Sequence, residues 1–584
     1  MPFSALPSKR LPGPLAYAVN RFLKIDQLEA LYSQTCGETI TANILKELKI
    51  DIEVSPIDLS KIPPTGPVVA VSNHPHGILD GIVLADLLPT MRRDIRILTN
   101  TFLGDLPELA EMCFFIDPFD KPENRIANSR ALKQSIQHLR AGGFLLIFPS
   151  GEVSHFDMKK RAICDPEWTT TAVRLIRMTR AKALPILIRG ANSLSFQMLG
   201  MVHPRLRTAA LPNELLNKRG KRVEIRIGAP VDINRMESLP DDAGATAYLR
   251  MRSELLGKRA AGTADIVAAS TPIAEGVATE TLRSEVAQLP PECLLDEARD
   301  LRVYVANAWQ MPHTLREIGR QREITFRAAG EGSGEPLDID RYDNHYLHLF
   351  LWNTATSEVV GAYRLGDIPK ILSRYGSRGL YTKSLFRFQP RFFHRLGPAL
   401  ELGRSFVRPE YQRRFAPLLL LWKGIGQFVA RHPEYKTLIG PVSVSNRYSP
   451  ASRELIAGYF EKCAGMKSWF SAVRPRHKLK GDIVQKWERE AISTLFPDFE
   501  DLSAPIGDLE PDGKGLPILV KQYVRLGGKL LAFSVDPQFG DSLDGFVLVD
   551  LTQTAPETLS RYMGREQADR FFAHHFPPSF DQAA

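Results

Sequence analysis

Two stretches of this 584-residue chain gather side chains that can move protons. In the first, Asn73-His74-Pro75-His76-Gly77-Ile78-Leu79-Asp80-Gly81 follows the apolar run VVAVS, so two imidazoles and a carboxylate occupy a turn at the C-terminal end of an expected strand. That is where α/β folds place chemistry. An imidazole titrating near neutrality takes a proton from a hydroxyl, and a carboxylate on its far nitrogen fixes the tautomer and stabilises the cation. The pattern suits acyl transfer to an alcohol, with His74 and His76 both candidates to work against Asp80.

The second stretch is an ordered series of charged residues: Arg316-Glu317, then Arg322-Glu323-Ile324-Thr325-Phe326-Arg327, then Asp338, Asp340, Tyr342 and Asp343, then Gly361-Ala362-Tyr363-Arg364-Leu365, then Glu401-Leu402-Gly403-Arg404. Such a set serves a polar site or a buried ion-pair network, and the two roles are compatible. Between its blocks, the stretch from Lys383 to Arg395 interleaves cations with phenylalanines. Without an accompanying nucleic-acid-binding motif, that stretch suits an acidic carrier protein or an anionic membrane surface. It also reads as a solvated basic face over core phenylalanines.

The elements that must position these residues follow from apolar periodicity. Up to about residue 256, strand-like runs (GPVVAVSN, GFLLIFPS, ALPILIRG, RVEIRIG) alternate with helix-like stretches such as IANSRALKQSIQHLRAG, which argues for an α/β domain over residues 1–258. Residues 259–278, rich in Ala, Gly, Thr and Ser, are the expected linker. Over residues 279–584, LHLFLWN, SEVVGAYRLG, ALELGRSFV and TLIGPVSVS read as strands and APLLLLWKGIGQFVARH as a long amphipathic helix, giving a mixed α/β domain. The tail from Leu516, with LPILVKQYVRLGGKLLAFSVDP and DGFVLVDL, is expected to complete the second sheet with strands.

Composition sets bounds. With 44% hydrophobic and 24% charged residues the chain is an ordinary globular protein, and 75 Lys+Arg against 66 Asp+Glu give a net +9 that favours an acidic partner. The five cysteines, Cys36, Cys113, Cys164, Cys293 and Cys463, are scattered without a C-x-x-C pair, which points to a reducing cytoplasm and no structural metal. The longest apolar run, APLLLLW, stops at Lys423, short of the roughly 18 residues of a spanning helix. The N-terminal stretch lacks a secretory apolar core, while Leu15, Val19, Phe22 and Leu23 share one helical face beside Arg21 and Lys24. That face suits a membrane interface or packing on its own domain.

The His/Asp turn, followed by Phe148-Pro149-Ser150-Gly151-Glu152 and by Leu184-Pro185-Ile186, resembles the glycerolipid acyltransferase superfamily over roughly residues 60–235. The resemblance implies catalysis by His74 and Asp80, with acceptor headgroup contacts from Ser150, Gly151 and Glu152, and with Arg125, in FFIDPFDKPENR, as a phosphate partner. The chain departs from the family in having five residues between His74 and Asp80 instead of four. His74 is favoured over His76 because it follows Asn73. Ser150 stands where the family has Glu.

From about Leu301 to Cys463, GRQREITFR, LDIDRYD and ALELGRSFV resemble the acyl-homoserine lactone synthases and the ornithine acyl-carrier-protein N-acyltransferases, which have the GNAT fold. There the implied roles are Glu401 as acceptor of the amine proton, and Arg322, Asp340, Asp343, Arg364 and Arg404 as substrate-binding residues. An α-amine is protonated at neutral pH and must lose a proton before it attacks a thioester.

Across nearly the whole length the combination resembles the bifunctional ornithine lipid synthases. It implies N-acylation of ornithine from 3-hydroxyacyl-acyl-carrier-protein, followed by O-acylation of the lyso-aminolipid. The donor is the carrier's phosphopantetheine thioester, with no cofactor, no metal and no nucleic acid. The expected setting is the bacterial cytoplasm, peripheral on an anionic inner-membrane surface. The rival reading is a lysophosphatidate acyltransferase carrying a carrier-protein docking module.

Overall fold

A computed structural model describes residues 39–99, 111–116, 125–260, 271–413, 415–463, 469, 471–481 and 489–577. The N-terminal amphipathic stretch, most of FFIDPFDKPENR and residues 261–270 of the expected linker lie outside these. The last part of that linker is tied down: Thr271 and Ala274 donate their N–H groups to Gly334 O at 3.0 Å and Pro336 O at 3.1 Å. The chain divides into two compact units. Unit 1 holds residues 1–259 together with 494–497 and 507–509, so two short segments that sequence reading placed in the second domain group with the first. Unit 2 holds the remainder.

Unit 1 is built on β1 (Asp51–Val54), β2 (Val68–Ser72), β3 (Ile95–Thr99), β4 (Cys113–Phe115), β5 (Phe144–Ile147), β8 (Lys182–Ile188) and β9 (Arg222–Ile227), in the spatial order β1-β9-β8-β2-β5-β3-β4. All pairings are parallel except β8 with β9. The central strands β2 and β5 are buried at every position, as expected of uninterrupted apolar runs in a parallel sheet. Helices α1 (Ile78–Leu87), α2 (Arg125–Arg140), α3 (Thr171–Thr179), α4 (Leu194–Val202), α5 (Pro204–Asn217) and α6 (Asp242–Leu256) accompany the sheet, and β6 (His155–Asp157) pairs with β7 (Ala162–Cys164) as a separate hairpin.

The segment at residues 507–509 is held in unit 1 by a buried ion pair. Arg252 Nε donates to Asp508 Oδ2 at 2.8 Å, and Asp508 Oδ1 accepts the Ala229 N–H at 2.6 Å. Burying two charges is favourable only when both are paired and hydrogen-bonded, and here Arg252 also reaches the Tyr248 hydroxyl at 2.9 Å.

Unit 2 carries an eight-stranded sheet in the order β10-β11-β12-β13-β15-β16-β19-β18. Its strands are β10 (Leu294–Ala298), β11 (Leu301–Asn307), β12 (Leu347–Asn353), β13 (Glu358–Asp367), β15 (Ala399–Val407), β16 (Thr437–Val444), β18 (Lys529–Asp536) and β19 (Ser542–Asp550), while β14 (Phe386–Phe388) pairs with β17 (Val473–Pro475) apart from it. The main helices are α7 (Pro312–Ala328), α8 (Phe415–Arg431) and α9 (Ile518–Arg525). The expectation of strands throughout the tail is corrected at α9: ILVKQYVR forms a helix that buries Val520 and Tyr523, three residues apart on one helical face. The basic–aromatic stretch puts Phe386 and Phe392 into a core cluster, with Phe388 and Phe393 packed against it and Arg387 and Arg391 exposed.

One pairing opens the sheet. β15 and β16 run parallel only over Ala399–Glu401 and Thr437–Ile439. Beyond that point β13 and β15 shift register between Ala362 and Arg364, with Arg404 at φ +47° as the extra residue of a bulge. At the parting, a Cβ on Gly440 would lie 2.1 Å from the Leu402 carbonyl oxygen, so the approach admits only glycine.

Candidate active sites

In unit 1 the turn after β2 is fixed from several sides. The Asn73 side chain donates to Ile188 O at 2.9 Å and accepts the Ile188 N–H at 2.7 Å, tying the end of β2 to that of β8. The His74 N–H donates to Asp165 Oδ1 at 3.2 Å, and His74 O accepts the Ser154 N–H at 2.8 Å. Gly77, at φ +76°, precedes α1, where a Cβ would meet Leu211 at 2.6 Å. Asp80 is the third residue of the helix and fully buried, and its Oδ2 accepts the N–H groups of His76 at 2.8 Å and Gly77 at 2.9 Å. Backbone donors and a helix N-terminus both suit an anionic carboxylate.

His74 and His76 part company here. His74 Nδ1 lies 3.0 Å from Asp80 Oδ2, off the line of an aligned hydrogen bond, in a side chain that is 19% exposed. Its ring stacks on Phe148 with centroids 4.3 Å apart. His76 is buried, its Nε2 sits 3.2 Å from Arg189 O, and burial lowers its pKa from the ordinary imidazole value. Only His74 therefore combines the carboxylate on one nitrogen with a ring open to solvent. The FPSGE segment meets the site through Phe148, a contact that sequence reading missed because stacking needs a partner distant in the chain. Ser150 Oγ donates to Glu152 O at 2.8 Å, Gly151 turns at φ +65°, and Glu152 accepts from Arg207 at 2.7 Å. Arg125 opens α2 with an exposed side chain.

In unit 2 the charged series condenses into a network. Arg322 donates to Asp343 at 2.8 Å, Arg364 donates to Asp340 at 2.7 Å, and Arg404 Nε lies 3.2 Å from Asp338. Burial works to raise the Asp343 carboxyl, but Arg322 and Arg364 outweigh it and hold the group well below the usual range. At Asp338 burial wins over the arginines and its pKa is raised. Glu401 is buried and saturated: it accepts the Thr382 N–H at 2.6 Å, the Tyr381 N–H at 3.2 Å and the Tyr346 hydroxyl.

The parted strands enclose a cavity of about 370 Å³, lined by Ser405–Val407 of β15, Pro441–Ser443 of β16, and Phe326, Leu418, Leu421, Tyr523 and Phe539. Of the charged residues singled out in sequence, Arg404 reaches its wall, whereas Arg322, Asp340, Asp343, Arg364 and Glu401 are not among its lining residues. The carboxyls that do line it are Glu331 and Asp544. Burial raises Glu331 to about 7, and burial together with the charges of Asp536 and Glu331 raises Asp544 to about 8. Ser443 Oγ donates to Glu331 at 3.1 Å, and Tyr381, also lining the cavity, donates to Asp536 at 3.2 Å and accepts from Arg404 at 3.1 Å. Sequence reading missed Glu331 and Asp544. The one signal for Asp544 was an acid inside the otherwise apolar run LDGFVLV.

A mostly parallel α/β unit with a His–Asp pair at a strand end, and a mixed sheet parted over a cavity with an acidic end, define an enzyme with two acyltransferase domains. Residues 38–261 match the "Acyltransferase" family and residues 321–423 the "Acetyltransferase (GNAT) domain" family. The chain is 30% identical over 281 residues to a glycine N(alpha)-acyltransferase of Phocaeicola vulgatus, covering 45% of this chain and 83% of that protein. It is 28% identical over 272 residues to an L-ornithine N(alpha)-acyltransferase of Brucella abortus, covering 44% and 87%. It is also 28% identical over 190 residues to a lyso-glycine lipid O-acyltransferase of Phocaeicola vulgatus, covering 31% and 65%. The chain belongs to the family of amino-acid N(alpha)-acyltransferases, and carries a domain of the "Acyltransferase" family in the same polypeptide.

Proposed function

We propose that this chain makes an aminolipid by two successive acyl transfers. In unit 2 a 3-hydroxyacyl thioester on acyl carrier protein enters between β15 and β16, with its chain along Phe326, Phe406, Leu421 and Tyr523. The α-ammonium of an amino acid sits at the acidic end, and Asp544 or Glu331 takes its proton. The amine then attacks the thioester carbonyl, so that a C–N bond forms, the C–S bond breaks and the carrier thiol leaves. A carboxyl titrating near the working pH is the effective proton acceptor, and the two cavity carboxyls meet that condition. Glu401 acts as a positioning residue that holds Tyr381 toward Arg404.

In unit 1, His74 takes the proton of the lyso-lipid's 3-hydroxyl while Asp80 stabilises the imidazolium, and the oxygen attacks a second acyl thioester, so that a C–O bond forms, the C–S bond breaks and the thiolate leaves with the proton returned from His74. The observation that carries the reading is the presence in one chain of both constellations, His74–Asp80 and the acid-ended cavity. The relatives' names include both glycine and ornithine. The clustering of Glu331 and Asp536 about Asp544 favours ornithine, which brings a second positive charge. The exposed cations Arg387 and Arg391 suit an acidic carrier protein.

The test is lipid analysis of a host without aminolipids that expresses the full chain, with His74→Ala alongside. A diacylated aminolipid is expected from the parent, and a monoacylated one from the variant. Acylation of lysophosphatidic acid to phosphatidic acid, without aminolipid, would overturn the reading. Diacylated product from the variant at the parental rate would remove His74.

A further inference from the structure

On unit 1 the helix next to the His74 turn is apolar on its outer side. In α4, LSFQMLGMV contains no charged residue, and Leu194, Met198, Met201 and Val202 are 80%, 64%, 60% and 76% exposed. Their i, i+4, i+7, i+8 spacing puts them on one stripe about 100° wide. The opposite side is already used: Phe196 is buried with Val153 and Ala210. A helix that packs by one face gains nothing in water from a second apolar face, so this stripe is built to meet something apolar.

The neighbouring β6–β7 turn has the complementary composition. Met158, 72% exposed, stands with the exposed cations Lys159, Lys160 and Arg161. The turn is tied to α4 where the Phe156 N–H donates to Gln197 Oε1 at 2.9 Å. Asp157, the acid of this hairpin, has its Oδ1 engaged by the N–H groups of Lys159 and Lys160. The site is close in the chain and in space, because Val153 packs on Phe196 while Ser154 donates to His74 O at 2.8 Å.

We propose that the α4 stripe and the Met158–Arg161 turn together form the surface by which this acyltransferase unit sits on an anionic lipid bilayer. Apolar side chains flanked by cations match the acyl region and the anionic headgroups of one leaflet. A second copy of the chain fits less well, since a two-fold contact through this face would set Lys159, Lys160 and Arg161 against their own copies. The inference rests on the proposed O-acylation of a lipid, which keeps the acceptor in the membrane and requires His74 to come to it.

The experiment is co-sedimentation of the full chain with vesicles of phosphatidylcholine plus phosphatidylglycerol, and of phosphatidylcholine alone. Binding needs no turnover, so its loss is separable from a wrong assignment of the reaction. The parent is expected to bind the anionic vesicles preferentially. Lys159→Ala with Lys160→Ala should weaken that binding by roughly fivefold per cation removed. Met198→Asp with Met201→Asp should weaken it by roughly tenfold or more. All four positions are exposed, so melting temperatures should stay at the parental value and rule out misfolding as the cause. Partition unchanged in both double variants would overturn the proposal. So would a dimer in ultracentrifugation that the Met198→Asp, Met201→Asp pair dissociates while vesicle binding persists.

Discussion

Replacing Glu401 by glutamine separates two roles for this buried carboxylate. As the proton acceptor implied by family resemblance, it would be needed for turnover and dispensable for folding. As placed here it accepts from the Tyr381 and Thr382 N–H groups and from the Tyr346 hydroxyl. Glutamine retains one acceptor oxygen. If that oxygen stays on Thr382, the amide nitrogen faces the Tyr381 N–H, donor against donor, while the Tyr346 hydroxyl can turn to accept. The charge-assisted bond is lost, while the Tyr381 N–H keeps the Tyr346 hydroxyl at 3.0 Å as its remaining acceptor, for a cost of about 1.5–3 kcal/mol. In a unit of more than 300 residues that is a fall of roughly 2–5 °C in Tm. The assays are thermal melting of the full chain and amino-acid-dependent release of carrier thiol across pH. The expected outcome is a lower Tm and reduced turnover, because Tyr381 shifts against Arg404 and Asp536, with the acidic limb of the pH profile retained. An unchanged Tm with turnover down by roughly 10²–10⁴-fold and the acidic limb gone would refute the argument and make Glu401 the proton acceptor.

The other predictions concern groups whose environments differ most from water. Asp544→Asn should lower N-acylation by roughly 10²–10⁴-fold, and in the parent kcat/KM should rise with pH as the cavity carboxyls, at about 7 and about 8, lose their protons; equal rates with the same acidic limb would exclude Asp544. The same carboxyl is raised from 3.8 to about 8 in the fold, so its contribution to stability is full at low pH and is lost as pH rises through about 8, a slope that chemical denaturation should find flattened in Asp544→Asn. Asp508→Ala leaves Arg252 buried without its partner and should cost about 3–5 kcal/mol. Denaturation monitored in unit 1 with no such loss would mean that residues 507–509 do not belong to it.

Legibility in the sequence followed locality. VVAVS, FLLI and ALELGRSFV announce strands because apolar runs and alternation are local, and β2, β5 and β15 form there. The turn from Asn73 to Gly81 declares its chemistry because imidazole and carboxylate lie within one helix start. What the chain could not declare is which of its charged groups face a cavity. That depends on a bulge at Arg404 and on the parting of two strands whose contact is set by residues some forty positions apart. The charged series from Arg322 to Arg404 was legible as a set, yet tertiary packing turned most of it inward as ion pairs and brought Glu331, from the loop after α7, and Asp544, from β19, to the wall. Helix α9 was misread as strand because a short apolar run fits both periods, and burial of Val520 and Tyr523 together decides between them. The two histidines, alike in sequence, were separated by a phenylalanine ring on one side and a backbone carbonyl on the other. Residue type supplies the chemistry a site can perform, and only the packed chain, by fixing burial and neighbours, determines which groups are left free to perform it.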